Sequence, residues 1–169
     1  MKRGLNSSGI KKRIELLRNV KNDIAIRTSI IVGFPGETDK EFQELYDFVK
    51  DVEFDRLGVF EYSEEEGTHG AEAYIDDIPK EVKQHRREQI MMLQQNINYK
   101  KNKDRVGSIE KVLIDFNDQS GCSIGRSSKD APEIDNYVKI DKKLEIGKFY
   151  DIKITKAYEY DVLGEVTNG

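Results

Sequence analysis

The first third of the chain begins with a helical pattern followed by an extended one. Apolar residues recur every three or four positions over residues 8–21 and predict a helix. Residues 24–33 form a nearly continuous β-branched and apolar run, which is typical of a strand buried on both faces. The run stops at a Gly-Phe-Pro-Gly sequence, residues 33–36, which predicts a sharp turn.

A second helix and a second strand follow this turn. Thr38 and Glu41 have the spacing of a capping box, and apolar residues from Phe42 to Val52 recur on one face of the helix that it opens. Residues 54–61 then predict another strand. Two strands joined by a crossover helix predict a right-handed βαβ unit with a parallel sheet.

The next segment is rich in glycine and acidic residues and has no periodicity. Residues 62–78 therefore predict a loop at the carboxyl end of the strands, where α/β proteins usually place their chemistry. Pro79 opens a long helix that we expect to reach residue 106. Its predicted apolar stripe consists of Val82, Ile90, Leu93 and Ile97.

Short alternating strands separated by turns occupy the rest of the chain. Five are predicted, over residues 108–116, 122–126, 137–140, 149–155 and 161–166. This number and length predict a small barrel of the oligonucleotide/oligosaccharide-binding (OB) kind. We therefore expect two domains, residues 1–106 and residues 107–169.

The first of these domains has too few strands for its helices. Two parallel strands accompany three helices, and a two-stranded parallel sheet leaves both edges unpaired and supplies little core. The pattern is that of the last part of a larger parallel sheet. The expected fold class is thus α/β, ending in a small all-β barrel.

Composition narrows the classes of function. Hydrophobic residues make up 37% and charged residues 36% of the 169 residues, with no apolar run of the ~20 residues that span a membrane. The start lacks the apolar core of a signal peptide, so we expect a cytoplasmic protein without a membrane partner. Cys122 is the single cysteine, and His69 and His85 are isolated, so the sequence predicts no metal ligands.

Several sequence blocks are specific enough to indicate a family. Residues 27–38 read Arg-Thr-Ser-Ile-Ile-Val-Gly-Phe-Pro-Gly-Glu-Thr and resemble a late barrel strand of radical S-adenosylmethionine methylthiotransferases. Further matching blocks occupy residues 54–60, 62–68, 125–126, 130–135 and 158–164. Together they resemble the branch of the family that modifies a ribosomal protein, along nearly the whole chain. The branch that acts on transfer RNA shares the Gly-Phe-Pro-Gly-Glu-Thr turn but not the Asp-Ala-Pro-Glu-Ile-Asp block.

The resemblance implies a specific reaction. Such an enzyme replaces a carbon-bound hydrogen on an aspartate of small-subunit ribosomal protein twelve with a methylthio group. It uses S-adenosylmethionine (SAM) and two 4Fe-4S clusters, each held by three cysteines that lie earlier in the family's chain. The resemblance therefore implies that this chain is the C-terminal part of a radical SAM partial barrel followed by a TRAM domain, and that it is inactive alone.

The resemblance also suggests residues near the cofactor. The matching barrel strand lies near SAM in the family, which makes Arg27, Gly33, Phe34, Gly36 and Glu37 candidate cofactor-binding residues. Taken by itself, the glycine-rich turn also fits a simple strand end, and Arg27 fits an ion pair at the start of the strand. No catalytic residue is assigned, because the run of glutamates over residues 64–66 is more typical of a solvated loop.

The predicted barrel carries an acidic balance. From residue 107 onward there are nine Lys and Arg against twelve Asp and Glu, a net charge of −3. Domains that bind nucleic acid through its backbone usually present a basic surface, so RNA is the less favoured partner and a basic ribosomal protein is favoured. The candidate substrate-binding residues are Arg126, Asp130, Pro132, Glu133 and Asp135. An ordinary solvated surface explains the same acids.

Two other functions remain open at this point. One is a methylthiotransferase that acts on transfer RNA, and the other is a stand-alone TRAM binding module with no enzyme attached. Tight binding of transfer RNA without binding of the ribosomal protein would favour the first. A promoter and a ribosome-binding site directly before Met1 would favour the second, whereas six upstream cysteines in the expected groups would favour the enzyme.

Overall fold

The computed structural model describes residues 6–21, 23–132 and 134–167, which divide into two compact units, Met1–Gln94 and Gln95–Gly169. The first unit contains α1 (Ser7–Val20), β1 (Arg27–Val32), α2 (Asp39–Val52), β2 (Arg56–Glu61) and α3 (His69–Ala73). Helix α4 (Lys80–Arg105) begins in the first unit and ends in the second. The second unit continues with β3 (Ile109–Asn117), β4 (Ser123–Arg126), β5 (Val138–Ile140), β6 (Phe149–Ala157) and β7 (Val162–Val166).

The βαβ arrangement of the first unit matches the prediction. Strands β1 and β2 pair in parallel, from Arg27 opposite Arg56 to Val32 opposite Glu61. The capping box of α2 is also confirmed, because Thr38 accepts from the Glu41 backbone N–H while the Glu41 carboxylate accepts from that of Thr38. The buried apolar residues of this unit are Ile14, Val32, Phe42, Val49, Val52, Phe54, Val59 and Ile90.

The prediction that β1 is buried on both faces is wrong. Ile31 is 47% exposed and its partner Phe60 is 58% exposed, whereas Val32 and Val59 are buried. Side chains alternate between the faces of a strand, and within the described residues only one face of this two-stranded sheet is covered. Helix α1 is similarly less buried than its pattern suggested, with Ile14 as its only buried residue.

Two further elements differ from the sequence prediction. The segment expected to be entirely loop contains α3, whose N-cap Thr68 accepts from the Ala71 backbone N–H. Helix α4 occupies the expected length, but its buried positions are mostly polar. They are Lys83, Arg86, Ile90, Gln94, Ile97, Asn98, Asn102 and Arg105. Spacings of three and four place these residues on one stripe, so polar groups replace the apolar residues that a helical core face normally carries.

The second unit is a closed barrel with strand order β3-β4-β5-β7-β6, which confirms the predicted OB-like architecture. All neighbouring strands are antiparallel except β5 and β7, which pair in parallel. The interior is filled by Val112, Ile114, Val138, Ile140, Ile152, Ile154 and Val162. Among the described residues, none of the helices has the length and apolarity needed to cross a membrane.

Candidate functional site

The turn after β1 is held by a carboxylate that is largely shielded from solvent. Glu37 Oε2 accepts a hydrogen bond from the Gly33 backbone N–H at 3.1 Å, and Glu37 Oε1 accepts one from Arg86 Nη1 at 2.8 Å. The Arg86 side chain is only 5% exposed and also reaches Asp39 Oδ1 at 2.7 Å. Both oxygens of Glu37 are thus engaged within the protein, which fixes the turn between β1 and α2 against α4.

Lys83 packs directly against the same turn. Gly33 has φ +70°, and the space that a Cβ would need there is filled by the Cγ of Lys83. The Lys83 ammonium donates to the Tyr62 carbonyl oxygen at 3.2 Å and to Asp76 Oδ1 at 2.7 Å. Because the lysine is 6% exposed, its charge is balanced by Asp76 rather than by solvent.

A cavity of about 590 Å³, here called the turn cavity, lies beside this turn. Phe34 forms one wall and contacts the Tyr62 ring edge-to-face with 5.1 Å between ring centroids. A second edge-to-face contact joins Phe34 to Tyr74 at 5.3 Å. The lining residues are Ser29, Ile31, Phe34, Tyr62, Thr68, His69 and Gly70. Aromatic walls with a few hydroxyl groups suit a small ligand that has a planar ring and polar substituents.

The structure gathers four of the five predicted cofactor residues. Gly33, Phe34, Gly36 and Glu37 belong to one turn, and of these Phe34 lines the turn cavity. Arg27 lies at the opposite end of β1, about 20 Å away at the usual rise per strand residue. The Gly36 backbone N–H donates to Asp77 Oδ1 at 3.0 Å, so it is engaged within the protein.

Sequence reasoning selected only Phe34 among the residues that line the turn cavity, and it missed the two cations that fix the turn, Lys83 and Arg86. The two cations contact residues that lie between seven and 49 positions away in the sequence. One sequence signal was available, because Lys83 and Arg86 precede Ile90 at the spacing of a buried helical stripe.

The loop after β4 contains most of the predicted substrate-binding residues. Asp130 is buried, and its Oδ2 accepts from the Ser127 hydroxyl at 2.6 Å. Asp135 Oδ2 accepts from the Ala131 backbone N–H at 2.7 Å. Pro132 is exposed. The carboxylates of Asp130 and Asp135 therefore shape the loop from within, and a contact of either with a substrate stays a prediction.

Of the remaining two predicted residues, the structure describes one. Arg126 ends β4 and forms an ion pair with Asp115, with Nη1 to Oδ1 at 2.6 Å. Glu133 lies outside the described residues.

The chain's own residues do not fit an iron–sulfur cluster. The described residues contain no group of three or more His, Cys, Asp or Glu arranged to hold a metal. Cys122 is buried just before β4 and is the single cysteine of the sequence. A cluster of this kind needs three thiolate ligands. His69 lines the turn cavity with its ring near Tyr74, whereas His85 is exposed on α4.

Comparison with known proteins identifies the relatives of both units. A TRAM domain model matches residues 106–167. A ribosomal protein uS12 methylthiotransferase RimO of Christiangramia forsetii is 42% identical over 99% of the chain and 38% of the relative. RimO proteins of Desulfitobacterium hafniense and Desulforamulus reducens are 48% and 47% identical, over 90% and 98% of the chain and 35% and 38% of each relative.

The chain thus spans less than two fifths of the length of these curated relatives, yet nearly all of it is matched. The matched region includes the Gly-Phe-Pro-Gly turn, the turn cavity and the barrel. The chain is therefore similar, over nearly its whole length, to a segment of RimO proteins, and its last strands match the TRAM domain.

Proposed function

We propose that this chain is the C-terminal part of an enzyme that transfers a methylthio group to an aspartate side chain of ribosomal protein uS12 in the cytoplasm. The observation that carries the proposal is the match to uS12 methylthiotransferases over 99% of the chain. In this proposal the first unit contributes part of the SAM-binding barrel. The TRAM barrel recruits the ribosomal protein.

The turn cavity supports a role in holding SAM. Its aromatic wall of Phe34 and Tyr62 fits a planar ring, and the hydroxyl of Ser29 offers a polar contact. When bound beside a reduced cluster, SAM supplies the radical that removes a carbon-bound hydrogen. The contribution of this chain is positional: Glu37 and Arg86 hold the turn, and the turn holds Phe34 at the cavity wall.

The two 4Fe-4S clusters of the proposed enzyme have their ligands elsewhere. With one cysteine, this chain cannot supply the three thiolates that each cluster requires. We therefore expect the chain to be catalytically inactive alone.

The charge of the barrel supports a protein substrate. Residues 107–169 have a net charge of −3, and ribosomal proteins are typically basic, so their fields are complementary. The same charge disfavours RNA, whose phosphates require a basic surface. Modification of transfer RNA instead of uS12 is therefore the competing outcome in the test that follows.

A chimeric enzyme tests the proposal. This chain replaces the corresponding segment of the Desulforamulus reducens relative, and the chimera is expressed in cells that lack their own enzyme. We expect mass spectrometry of uS12 to show one aspartate in which a methylthio group has replaced a hydrogen. A second chimera without residues 107–167 serves as control and is expected to leave uS12 unmodified. Modified transfer RNA with unmodified uS12 would overturn the proposal.

A further inference from the structure

The outer face of the TRAM barrel carries a second concave site. Strands β4, β5 and β7 are neighbours, and a cavity of about 520 Å³ opens across them. The register places Ile124, Lys139 and Leu163 side by side on its floor. We call this site the barrel cleft. Its walls are formed by Tyr137, Asp141, Tyr158 and Asp161.

We propose that the barrel cleft binds a cationic side chain, an arginine in particular, of the basic protein substrate. The inference rests on the proposed function for the identity of that protein. The preference for a cationic side chain is inferred from the chemistry of the cleft alone.

The two aromatic rings suit a cation. Tyr137 is fixed by an edge-to-face contact with Phe116, with 6.3 Å between centroids. Tyr158 already has a cation over its ring, because Lys156 Nζ lies 4.9 Å from the centroid. Tyrosine rings attract guanidinium groups through their negative faces, and Arg also stacks on them.

The two carboxylates lie at opposite ends of the cleft and retain acceptor capacity. Asp161 Oδ1 accepts from the Tyr137 backbone N–H at 2.9 Å, and the Cys122 thiol donates to Asp141 Oδ1 at 3.4 Å. Within the described part of the chain, Oδ2 of either carboxylate makes no further hydrogen bond. A guanidinium, which has five donors in a planar fork, can donate to the open oxygen of whichever carboxylate it reaches.

The charge of the cleft disfavours a nucleotide. The lining cation, Lys139, pairs with Asp118 at 3.4 Å, which leaves Asp141 and Asp161 as the unbalanced charges of the lining. A phosphate would therefore meet a carboxylate at either end of the cleft. The apolar floor of Ile124 and Leu163 suits the methylene stem of an arginine instead.

Titration of the ¹⁵N-labelled 169-residue chain with N-acetyl-arginine methylamide tests the inference. We expect chemical-shift changes at the amides of Ile124, Lys139 and Leu163. The neutral citrulline analogue is expected to bind about tenfold more weakly, because it lacks the charge. Equal binding of the two probes, or stronger binding of uridine monophosphate than of the arginine probe, would overturn the inference.

Variants that change the charge of the cleft give an independent test. Removing carboxylates and removing a lysine should change the affinity for the arginine probe in opposite directions. The double variant Asp141→Asn/Asp161→Asn should lose about tenfold in affinity for the arginine probe, whereas Asp151→Asn, an exposed carboxylate on β6, should not change it. Lys156→Met removes a like charge and should tighten binding of the arginine probe. Weaker binding in Lys156→Met would contradict a cation site.

Binding of uS12 separates this inference from the proposed function. If the arginine probe binds the cleft but uS12 does not bind the chain, the proposed function fails and the cation site stands. If uS12 binds with equal affinity to the chain and to the Asp141→Asn/Asp161→Asn variant, the cleft inference fails and the proposed function stands. If uS12 binds the unchanged chain and binds the double variant more weakly, the cleft inference and the proposed function are both supported.

Discussion

Arg86 and Glu37 form a largely buried ion pair, with Nη1 to Oε1 at 2.8 Å and side chains 5% and 13% exposed. The pair joins α4 to the turn that presents Phe34 to the turn cavity. Glu37 also accepts from the Gly33 backbone N–H. One carboxylate therefore connects the turn to an arginine on α4 that lies 49 positions away. The acidic residue of the Gly-Phe-Pro-Gly-Glu sequence therefore stabilises the turn that presents Phe34 to the turn cavity.

Breaking this pair should destabilise the first unit. Arg86→Met leaves the Glu37 carboxylate buried without its countercharge, which typically costs about 3–5 kcal/mol in unfolding free energy. The double variant Glu37→Gln/Arg86→Met removes both charges, keeps an acceptor for the Gly33 N–H and should recover most of the loss. Urea denaturation of the full chain measures both. Arg87→Met, which breaks an exposed pair with Glu61, is the matched control and should cost less than about 1 kcal/mol. An equal loss from Arg86→Met and Arg87→Met would contradict the account.

Alanine substitutions at two glycines of the turn distinguish the cost of backbone strain from the cost of side-chain crowding. Gly33 and Gly36 have φ of +70° and +80°, but a Cβ at Gly33 would collide with Lys83, whereas one at Gly36 meets open space. Gly36→Ala should therefore cost only the strain, about 1–2 kcal/mol. Gly33→Ala should cost clearly more, because Lys83 must move away from Asp76. Similar unfolding free energies for the two variants would show that Lys83 packing at Gly33 is unimportant.

The turn between β3 and β4 should weaken in acid. The pKa of Asp118 is lowered to about 2 by the Ser120 hydroxyl, aided by the backbone N–H groups of Cys122 and Ser120 and by Lys139. A folded-state pKa below the unfolded value of 3.8 contributes stability that is complete above pH 3.8 and is lost as the pH falls towards 2. The stability difference between the chain and Asp118→Asn should shrink over that window. A difference in melting temperature that stays constant from pH 5 to about pH 2 would contradict this.

Asn102 positions the tyrosine segment of the barrel cleft. Its side-chain nitrogen donates to the carbonyl oxygens of Tyr158 and Tyr160 at 2.9 and 3.2 Å, and its oxygen accepts from Arg105. Asn102→Ala removes the hydrogen bonds of this buried side chain, leaves its partly buried partners unsatisfied and should cost about 2 kcal/mol of unfolding free energy. Affinity for the arginine probe should fall as well. Asn96→Ala, an exposed position on the same helix, should change neither, and an equal effect of both variants would exclude this role.

Local patterns predicted the parts of the fold that local chemistry determines. The Thr38 capping box depends on residues within one helical turn, and the strand periods of the barrel reflect alternate burial within each strand. Helix α3 escaped prediction because five residues cannot display an apolar stripe, and its cap, Thr68, lies in an acidic loop that shows no periodicity. The exposure of Ile31 and Phe60 escaped because it depends on which neighbours the sheet has.

The site was harder to predict because its contacts are long-range. Phe34 could be selected from the turn sequence, but the partners that fix the turn, Lys83 and Arg86, lie on a helix that reads as highly charged and solvated. By its charge Asp130 is a candidate substrate contact, whereas in the structure it is buried and its carboxylate accepts hydrogen bonds from Ser127. Charge alone does not reveal whether a carboxylate points outward or closes its own loop.

The affinity of the purified 169-residue chain for uS12 and for transfer RNA, determined side by side at increasing salt, tests whether the TRAM barrel recruits a protein or an RNA. The account predicts that uS12 binds, that added transfer RNA does not displace it, and that salt weakens the binding because charges attract across the interface. Tight binding of transfer RNA together with no binding of uS12 would contradict the account.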